Sequence, residues 1–516
     1  MIARSRRSRA AAASRLLSGL WGAAALASVP AGAIWSDDPA LNLVVADGAS
    51  EQVQPKVVAL ADGGFYVSWF DNATGGYDVR LQRLSASGVE LWPHNGILVA
   101  DRSLSSTTDY GLSVDAAGNA LLAFNDDSQP TERIVVSKIS PAGVALWGTP
   151  GIAVSDSKAF LASPRVAGTD DGEVVVAWFQ SPDTVLQRLD PSGTALWAAG
   201  GIALAHSGDT FVLSDLQATG SNGGLDTGNV IVSWVRYVTF AGAKHLWAQK
   251  LDPDGAPLWG AGHRQVFDLD GGSLQFGNFP GFEPDGAGGA VFAWYTSTPS
   301  LQVRVQRLLA AGTEAFAHDG VEVSTDGSRL RVDPSAAFDL DAGELTVFWV
   351  EKNSLQSQHG LYGQCLDALG ARLWGSEGIP FLALGATEIT QVRALPALTA
   401  TLAGAAEGGT GSHALVAWAE TVAFDDQPIR AARVDATGGL VWAPPVTTLK
   451  SSATSTSRLA AATSSDGFAA FAWTDGEALR DLEAQNLNLD GTLGTWPFFA
   501  DGFETGGTTA WSATFP

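Results

Sequence analysis

The chain has 516 residues, with 30 lysines and arginines against 54 aspartates and glutamates, and therefore a formal net charge of −24 at pH 7. A charge of this sign repels nucleic acid and anionic membrane surfaces, so neither is expected as a partner. The single cysteine, Cys365, excludes an intrachain disulfide, and the 46% of hydrophobic residues supply a large core instead.

Residues 1–33 have the order of an export signal. Five arginines come first, followed by an apolar run over residues 16–29 and the triplet Ala31-Gly32-Ala33. This order predicts a signal peptide. Ile34 follows in place of the cysteine that a lipoprotein would carry, so there is no lipobox. No other apolar run approaches about 18 residues, so membrane insertion is not expected. The sequence thus predicts a secreted or periplasmic protein that retains 25 basic and 54 acidic residues, a net charge of −29.

After residue 34 one phrase recurs eight times with variations: an apolar run that ends in an aromatic anchor, a segment such as Gln-Arg-Leu, a glycine turn and a second anchor. Successive first anchors are 54 to 69 residues apart. The first anchors are Trp69, Phe124, Trp178, Trp234, Trp294, Trp349, Trp418 and Trp473. The second anchors are Trp92, Trp147, Trp197, Trp259, Phe316, Trp374, Trp442 and Trp496. A fixed period with one anchor pair in each unit is typical of repeat architectures.

Each repeat contains signals for four short strands. The run before the first anchor, such as "VVVAW" or "VIVSW", is apolar at consecutive positions and predicts a strand buried on both faces. A leading strand, the Gln-Arg-Leu strand and a short piece after the second anchor complete the unit. Eight such units predict an all-β, eight-bladed β-propeller of four-stranded antiparallel blades over residues 34–498, followed by a C-terminal tail over 499–516. A sandwich or an open array is the alternative.

The segment "IWSDDPALNLVVAD" at residues 34–47 resembles the fourth-strand phrase of a repeat, yet it precedes any complete repeat. It is expected to pair into the last blade and close the ring. The glutamine that recurs in the third strand, as at Gln82 and Gln187, is expected to hydrogen-bond between blades rather than to bind a ligand.

The phrases "LDPSGTALW", "LDPDGAPLW" and "RVDATGGLVW" resemble the tryptophan-docking motif of quinoprotein-like propellers and of the propeller lipoprotein that assists outer-membrane protein assembly. The resemblance covers about ten residues per repeat and implies an exported bacterial propeller. A quinone dehydrogenase of this kind would carry a vicinal cysteine pair, which this chain lacks.

Function is expected on the face that carries the 2–3 loops and the links between blades, because their lengths vary most and because insertions near residues 207–227 and 394–413 are assigned to the links. Two residues after the first anchor, a set of mostly charged residues is predicted to surround the channel mouth and to bind a ligand. These strand-end residues are Asp71, Asp126, Arg236, Glu351, Glu420 and Asp475. A ring of carboxylates of this kind suits calcium or a basic or polyhydroxylated ligand.

No catalytic constellation is recognised, since the seven histidines form no zinc-binding spacing and no nucleotide-binding or hydrolase motif occurs. The sequence therefore predicts a monomeric binding or surface-interaction module for an unknown protein or glycan. The alternative is a polysaccharide-directed hydrolase or lyase with its site at the variable-loop channel mouth.

Overall fold

Buried strands of seven to nine residues, which end close to the first anchors, form the second strand of every blade. The computed structural model describes residues 34–104, 109–128, 131–155, 160–220, 222–396, 414–464, 468–476 and 480–495. All seven residues of the strands Phe65–Asp71, Ala120–Asp126 and Ala469–Asp475 are buried. Consecutive apolar residues form such strands because both faces of the strand contact a neighbouring blade.

Within the described residues, thirty-three strands make up eight antiparallel sheets, which confirms the predicted eight-bladed propeller. Strand β1 (Leu43–Ala46) lies before the first complete blade. Blade 1 contains β2 (Gln52–Ala59), β3 (Phe65–Asp71), β4 (Asp78–Leu84) and β5 (Ile97–Ala100). Blade 2 contains β6 (Gly111–Val114), β7 (Ala120–Asp126), β8 (Arg133–Ile139) and β9 (Ile152–Ala153). Blade 3 contains β10 (Leu161–Gly168), β11 (Val174–Gln180), β12 (Asp183–Leu189) and β13 (Ile202–Leu204). Blade 4 contains β14 (Thr210–Ala218), β15 (Val230–Tyr237), β16 (His245–Leu251) and β17 (Arg264–Phe267).

The remaining blades repeat this order, with one irregularity in blade 5, where two short strands pair with the second strand. Blade 5 contains β18 (Ser273–Leu274), β19 (Phe282–Pro284), β20 (Ala290–Thr298), β21 (Val303–Leu308) and β22 (Val321–Glu322). Blade 6 contains β23 (Leu330–Asp339), β24 (Glu344–Lys352), β25 (His359–Leu366) and β26 (Ile379–Gly385). Blade 7 contains β27 (Glu388–Pro396), β28 (Ala414–Thr421), β29 (Ile429–Val434) and β30 (Thr447–Lys450). Blade 8 contains β31 (Thr456–Thr463), β32 (Ala469–Asp475) and β33 (Asp481–Leu487).

The first strands of neighbouring blades contact one another, as β2 does with β6 and β31, and they form the inner ring around the central channel. In the described part of the chain, the helical structure is a three-residue 3₁₀ turn at Asn222–Gly224. None of its helices has the length and apolar character needed to span a membrane.

Blade 8 obtains its fourth strand from the N-terminal segment. Strand β1 pairs antiparallel with β33, with Leu43 opposite Ala484 and Val44 opposite Glu483. The sheet order is therefore β1-β33-β32-β31, and the two ends of the propeller meet within one blade. The predicted signal peptide over 1–33 and the predicted tail over 499–516 lie outside the described residues.

Each blade is joined to the next by an aromatic ring that lies on a glycine. In all eight cases the glycine has a positive φ, and a Cβ added to it would come within 2.5 to 3.4 Å of the ring. Glycine is therefore required both for its backbone conformation and for the close approach. The contacts are Trp35 on Gly88, Trp92 on Gly143, Trp147 on Gly193, Trp197 on Gly255, Trp259 on Gly312, Phe316 on Gly370, Trp374 on Gly438 and Trp442 on Gly491.

Trp35, rather than Trp496, makes the eighth contact. Its indole Nε1 donates to Ala86 O at 2.9 Å, and Ala86 lies two residues before Gly88. In five other docking contacts the acceptor carbonyl likewise lies two residues before the glycine. In the complete repeats the docking aromatic follows the glycine of its own turn by four residues, whereas Trp496 follows Gly491 by five. Trp496 itself lies outside the described residues.

The recurrent glutamine bonds mainly within its own blade, and the predicted bond between blades occurs in blade 6, where Gln364 Nε2 also donates to Val323 O of blade 5 at 3.3 Å. Gln187 Oε1 accepts from the backbone N–H of Trp197 at 3.2 Å, and its Nε2 donates to Ala198 O at 3.1 Å. Gln485 correspondingly donates to Ser36 O, the residue after Trp35. The glutamine therefore ties the third strand to the docking segment of the same blade.

The cation that follows this glutamine connects neighbouring blades. The buried Arg188 guanidinium contacts Asp171 and Glu173 in its own blade and donates to Gly228 O in the next one. The buried Cys365 occupies this position in blade 6.

The first predicted insertion does not belong to the link alone. Its residues 207–209 lie in the link, residues 210–218 form β14 and residues 219–227 belong to the 1–2 connection before β15. Residues 397–413, almost all of the second predicted insertion, lie outside the described residues. The distance from a second anchor to the next first anchor includes the link, the first strand and the 1–2 turn. A long distance therefore does not show which of these three segments contains the extra residues. Variation is thus not confined to the 2–3 face.

Removal of the Trp35 side chain is expected to open the ring. Trp35 is 2% exposed, and Trp35→Ala should lower the free energy of unfolding by about 3–5 kcal/mol. Trp259→Ala, at the equivalent contact between blades 4 and 5, should have a similar effect. Leu41→Ala, in the same N-terminal segment but 67% exposed, should change stability by less than about 0.5 kcal/mol. Urea unfolding measures all three, and equal stability of the Trp35 and Leu41 variants would contradict the assignment.

Candidate functional site

The six strand-end residues lie at or near the ends of second strands, and each has an ion-pair partner. The N–O distances are 2.7 Å for Asp71–Arg80, 3.2 Å for Asp126–Arg133, 2.9 Å for Arg236–Asp209, 3.0 Å for Glu351–Arg331, 3.7 Å for Glu420–Arg430 and 2.8 Å for Asp475–Lys450. Among the described residues, no group of three or more His, Cys, Asp or Glu side chains is arranged to hold a metal ion. Their role in binding remains a prediction.

The strand-end position lies two residues after the first anchor, and its side chain can contact the indole of that anchor. Where it holds Glu or Gln, the indole N–H of the anchor donates to it. These donations are Trp178 to Gln180, Trp349 to Glu351 and Trp418 to Glu420, at 3.3, 2.7 and 3.0 Å. In the four blades that combine a tryptophan anchor with Asp, Arg or Thr at this position, the anchor indole has no hydrogen-bond partner among the described residues. Side-chain length therefore decides whether the buried indole is satisfied, which gives this position a structural role.

The first strands, by contrast, are interrupted by β-bulges. Six of them pair irregularly with the second strand, and in five blades a residue other than glycine has a positive φ within the bulge. These residues are Gln54, Ser163, Asp333, Gln391 and Arg458. A β-bulge redirects side chains, and left-handed backbone at residues other than glycine is concentrated at functional sites.

One charged residue from the first-strand region of each blade forms a set that we call the lumen ring. Its members, in blade order, are Lys56, Asp109, Arg165, Asp215, Glu283, Asp333, Arg393 and Arg458. Lys56, Arg165, Asp215 and Arg393 occupy equivalent positions, each opposite the residue that precedes the first anchor. The other four lie two residues before or after the equivalent position.

Half of the lumen ring is a chain of ion pairs that crosses four blades. Asp109 lies 2.9 Å from Lys56 and 2.5 Å from Arg165, and Arg165 lies 3.8 Å from Asp215. The pKa of Asp109 is held at about 2 by Lys56 and Arg165, which outweigh the opposing effect of burial. These charges neutralise one another and fasten blades 1 to 4 at their inner edges.

The other half, in blades 5 to 8, is unpaired. Within the described residues, Glu283, Asp333, Arg393 and Arg458 have no ion pair within 4 Å, and the last three are exposed. First strands begin on the face that carries the 2–3 loops, so Asp333 and Arg458 lie nearer that mouth of the channel than Arg393 does. This half is therefore open to a charged ligand.

Glu283 and Asp215 form an acidic pair between the two halves. Burial, together with the negative charge of Asp215, raises the pKa of Glu283 to about 7. Burial also raises the pKa of Asp215, although Arg165 acts in the opposite direction. Asp215 Oδ2 accepts from the backbone N–H of Phe282 at 3.2 Å, which brings blades 4 and 5 together at this point. Near neutral pH, Glu283 can thus both hold and release a proton.

The sequence reasoning overlooked the lumen ring because its members do not repeat. A signal was present in three repeats, where a polar residue, proline and another polar residue begin the first strand: Gln54-Pro55-Lys56, Ser163-Pro164-Arg165 and Asp333-Pro334-Ser335. The remaining members have no common neighbours in sequence, so only the register of the strands brings them together.

No family model matches the sequence, and no curated protein matches it either. Several solved propellers are similar in fold. The propeller domain of the Trilobed protease from Pyrococcus furiosus is 8% identical, with a TM-score of 0.39 over 76% of this chain and 94% of that one. Polysaccharide lyase Uly1 is 10% identical, with a TM-score of 0.41 over 88% and 93% of the two chains. Prolyl oligopeptidase B from Galerina marginata is 12% identical, with a TM-score of 0.42 over 83% of this chain and 56% of that one. At these values the similarities do not extend to function.

Glu351→Gln separates a structural role of the strand-end position from calcium binding. Glutamine can still accept from the Trp349 indole, as Gln180 does from Trp178, but it leaves the buried Arg331 charge without its partner. We expect a loss of about 3 kcal/mol in stability. Calcium should leave the melting temperature of both proteins unchanged, because the carboxylates already have cationic partners. A calcium-dependent rise in the parent that the variant lacks would instead support the predicted ring.

The raised pKa of Glu283 predicts a specific pH dependence of stability. A carboxyl whose folded pKa exceeds its ordinary value of 4.5 contributes stability that is complete below about pH 4.5 and is lost as pH rises through about 7. The stability of Glu283→Gln relative to the parent should therefore increase between pH 4.5 and 7.5 in urea unfolding. Glu377→Gln, which removes an exposed carboxylate, controls for net charge. A difference that does not change with pH would refute the raised pKa.

Proposed function

We propose that the protein is an exported, monomeric binding module whose ligand enters the central channel from the face that carries the 2–3 loops. The observation that carries this proposal is the lumen ring, in which blades 5 to 8 contribute four charged side chains without ion-pair partners. Exposed unpaired charges within a channel cost little while water solvates them, and they gain interactions when a complementary ligand replaces that water.

The residues that recur from blade to blade have structural tasks. Aromatic rings dock on glycines, glutamines hold the docking segment in most blades, and the strand-end residues Glu351 and Glu420 accept from indoles. The lumen ring differs from blade to blade, as a site for an asymmetric ligand requires. A glycan or a protein segment with polar and charged groups suits it. The net charge of −24 disfavours nucleic acid.

A residue that blocks the channel tests the proposal. Ala460 occupies in blade 8 the position of Lys56 and Arg393, so Ala460→Trp places an indole in the lumen. Binding to a panel of glycans and peptides should fall by about tenfold or more, which corresponds to at least about 1.4 kcal/mol. Leu91→Trp adds the same ring to the outer rim and should bind like the parent. If both variants, once shown to be folded by circular dichroism, bind equally well, the ligand does not use the channel.

The alternative function is that of a polysaccharide-directed hydrolase or lyase, and the Glu283 pKa of about 7 favours it, because acid–base catalysis requires a group that titrates near the working pH. The same glycans, assayed for new reducing ends and unsaturated products, distinguish the two functions. An enzyme would turn over a glycan and lose that turnover in Glu283→Gln while still binding it. A binding module would give no product with either protein.

A further inference from the structure

Two arginines without acidic partners lie on neighbouring first strands of the channel, Arg393 in blade 7 and Arg458 in blade 8. We propose that they form a site for an oxyanion, namely a carboxylate, phosphate or sulfate group of the ligand that occupies the lumen. The inference rests on the proposed function and specifies the chemistry of its ligand. Arginine suits this task because its planar guanidinium donates two parallel hydrogen bonds to such a group.

Arg393 is fixed in place by backbone acceptors. Its Nε donates to Leu459 O and its Nη1 to Val392 O, both at 2.8 Å. Neither contact neutralises the charge, and the described residues provide no acceptor for Nη2. The guanidinium is thus oriented before a ligand arrives, which lowers the entropy that binding must lose.

The strands that carry the two arginines are joined firmly to each other. Gln391 Oε1 accepts from the backbone N–H of Leu459 at 2.6 Å, and its Nε2 donates to Thr456 O at 2.9 Å. Gln391 and Arg458 both have left-handed backbone, with φ of 55° and 58°. The bulges therefore present Arg458 in a conformation that costs energy, and a binding role gives a physical reason for retaining it.

The electrostatic surroundings favour an anion at this point. The side chain of Arg393 is accessible to solvent, but the surrounding strands enclose it enough to lower its pKa. The positive charge of Arg458 lowers the pKa further, whereas Asp333 acts in the opposite direction. Asp333 is not within ion-pair distance of Arg393 and also interacts with Lys352. An oxyanion between the two guanidinium groups would relieve their mutual repulsion. Arg165, at the equivalent position of blade 3, is by contrast neutralised by Asp109 at 2.5 Å.

Calorimetric titration of the whole chain with inorganic phosphate, inorganic sulfate and glucuronate tests the site. At least one probe should bind, and the probe that binds most tightly identifies the anion. Arg458→Gln should weaken that binding by about tenfold, as expected for the loss of one charge-assisted hydrogen bond. Because Arg458 is exposed and its side chain makes no hydrogen bond within the described residues, this variant should fold. Arg264→Gln removes the same charge from the outermost strand of blade 4 and should bind like the parent.

Two results would overturn the site: no binding of any probe by the parent, or equal binding by the parent and Arg458→Gln. Failure of the proposed function looks different. If a panel ligand binds the parent but not Ala460→Trp, while no probe binds and Arg458→Gln has no effect, the channel binds a ligand and the anion site is wrong. If the probes bind in an Arg458-dependent manner while Ala460→Trp leaves panel binding intact, the anion site stands and the panel ligand binds outside the channel.

Discussion

The propeller depends on one contact, an aromatic ring that lies on a glycine of the next blade. The glycine satisfies two requirements at once, since it adopts a positive φ in the turn and has no Cβ to separate the ring from the backbone. Any other residue would strain the turn and lift the ring away. In six of the eight contacts the indole N–H also fixes the orientation of the ring, by donating to the carbonyl two residues before the glycine. Eight such contacts close a ring that has no disulfide to hold it.

This contact also explains which parts of the fold the sequence predicts and which it does not. The anchors repeat because every blade needs the same surface, so the number of blades and the strands are visible in the sequence. Anchor spacing alone does not identify the eighth docking ring. The distance from the turn glycine to the aromatic residue does, because it is four residues in the complete repeats and five for Trp496. The faces of the two insertions are not visible, because nothing local marks the boundary between a link and the following strand.

The strand-end acids show how repetition can imitate a functional signal. Acidic residues recur after the anchors, and from the sequence alone a ring of carboxylates is a reasonable interpretation. In the structure each carboxylate has a cation nearby, and those of glutamate length also accept the hydrogen of a buried indole. This hydrogen bond forms within a single blade and does not depend on the residues of the other blades. Recurrence at this position follows from packing within a blade and needs no common ligand.

Function is therefore sought where the blades differ. The docking position is always an aromatic residue on a glycine, whereas the equivalent first-strand positions vary in charge and size. They hold Lys56, Gly111, Arg165, Asp215 and Arg393. In the unpaired half of the lumen ring, the acidic Glu283 and Asp333 of blades 5 and 6 are followed by the basic Arg393 and Arg458 of blades 7 and 8. The sign of the charge therefore changes along this side of the channel. A ligand with one anionic end would be oriented by this field, because only one of its two directions brings opposite charges together.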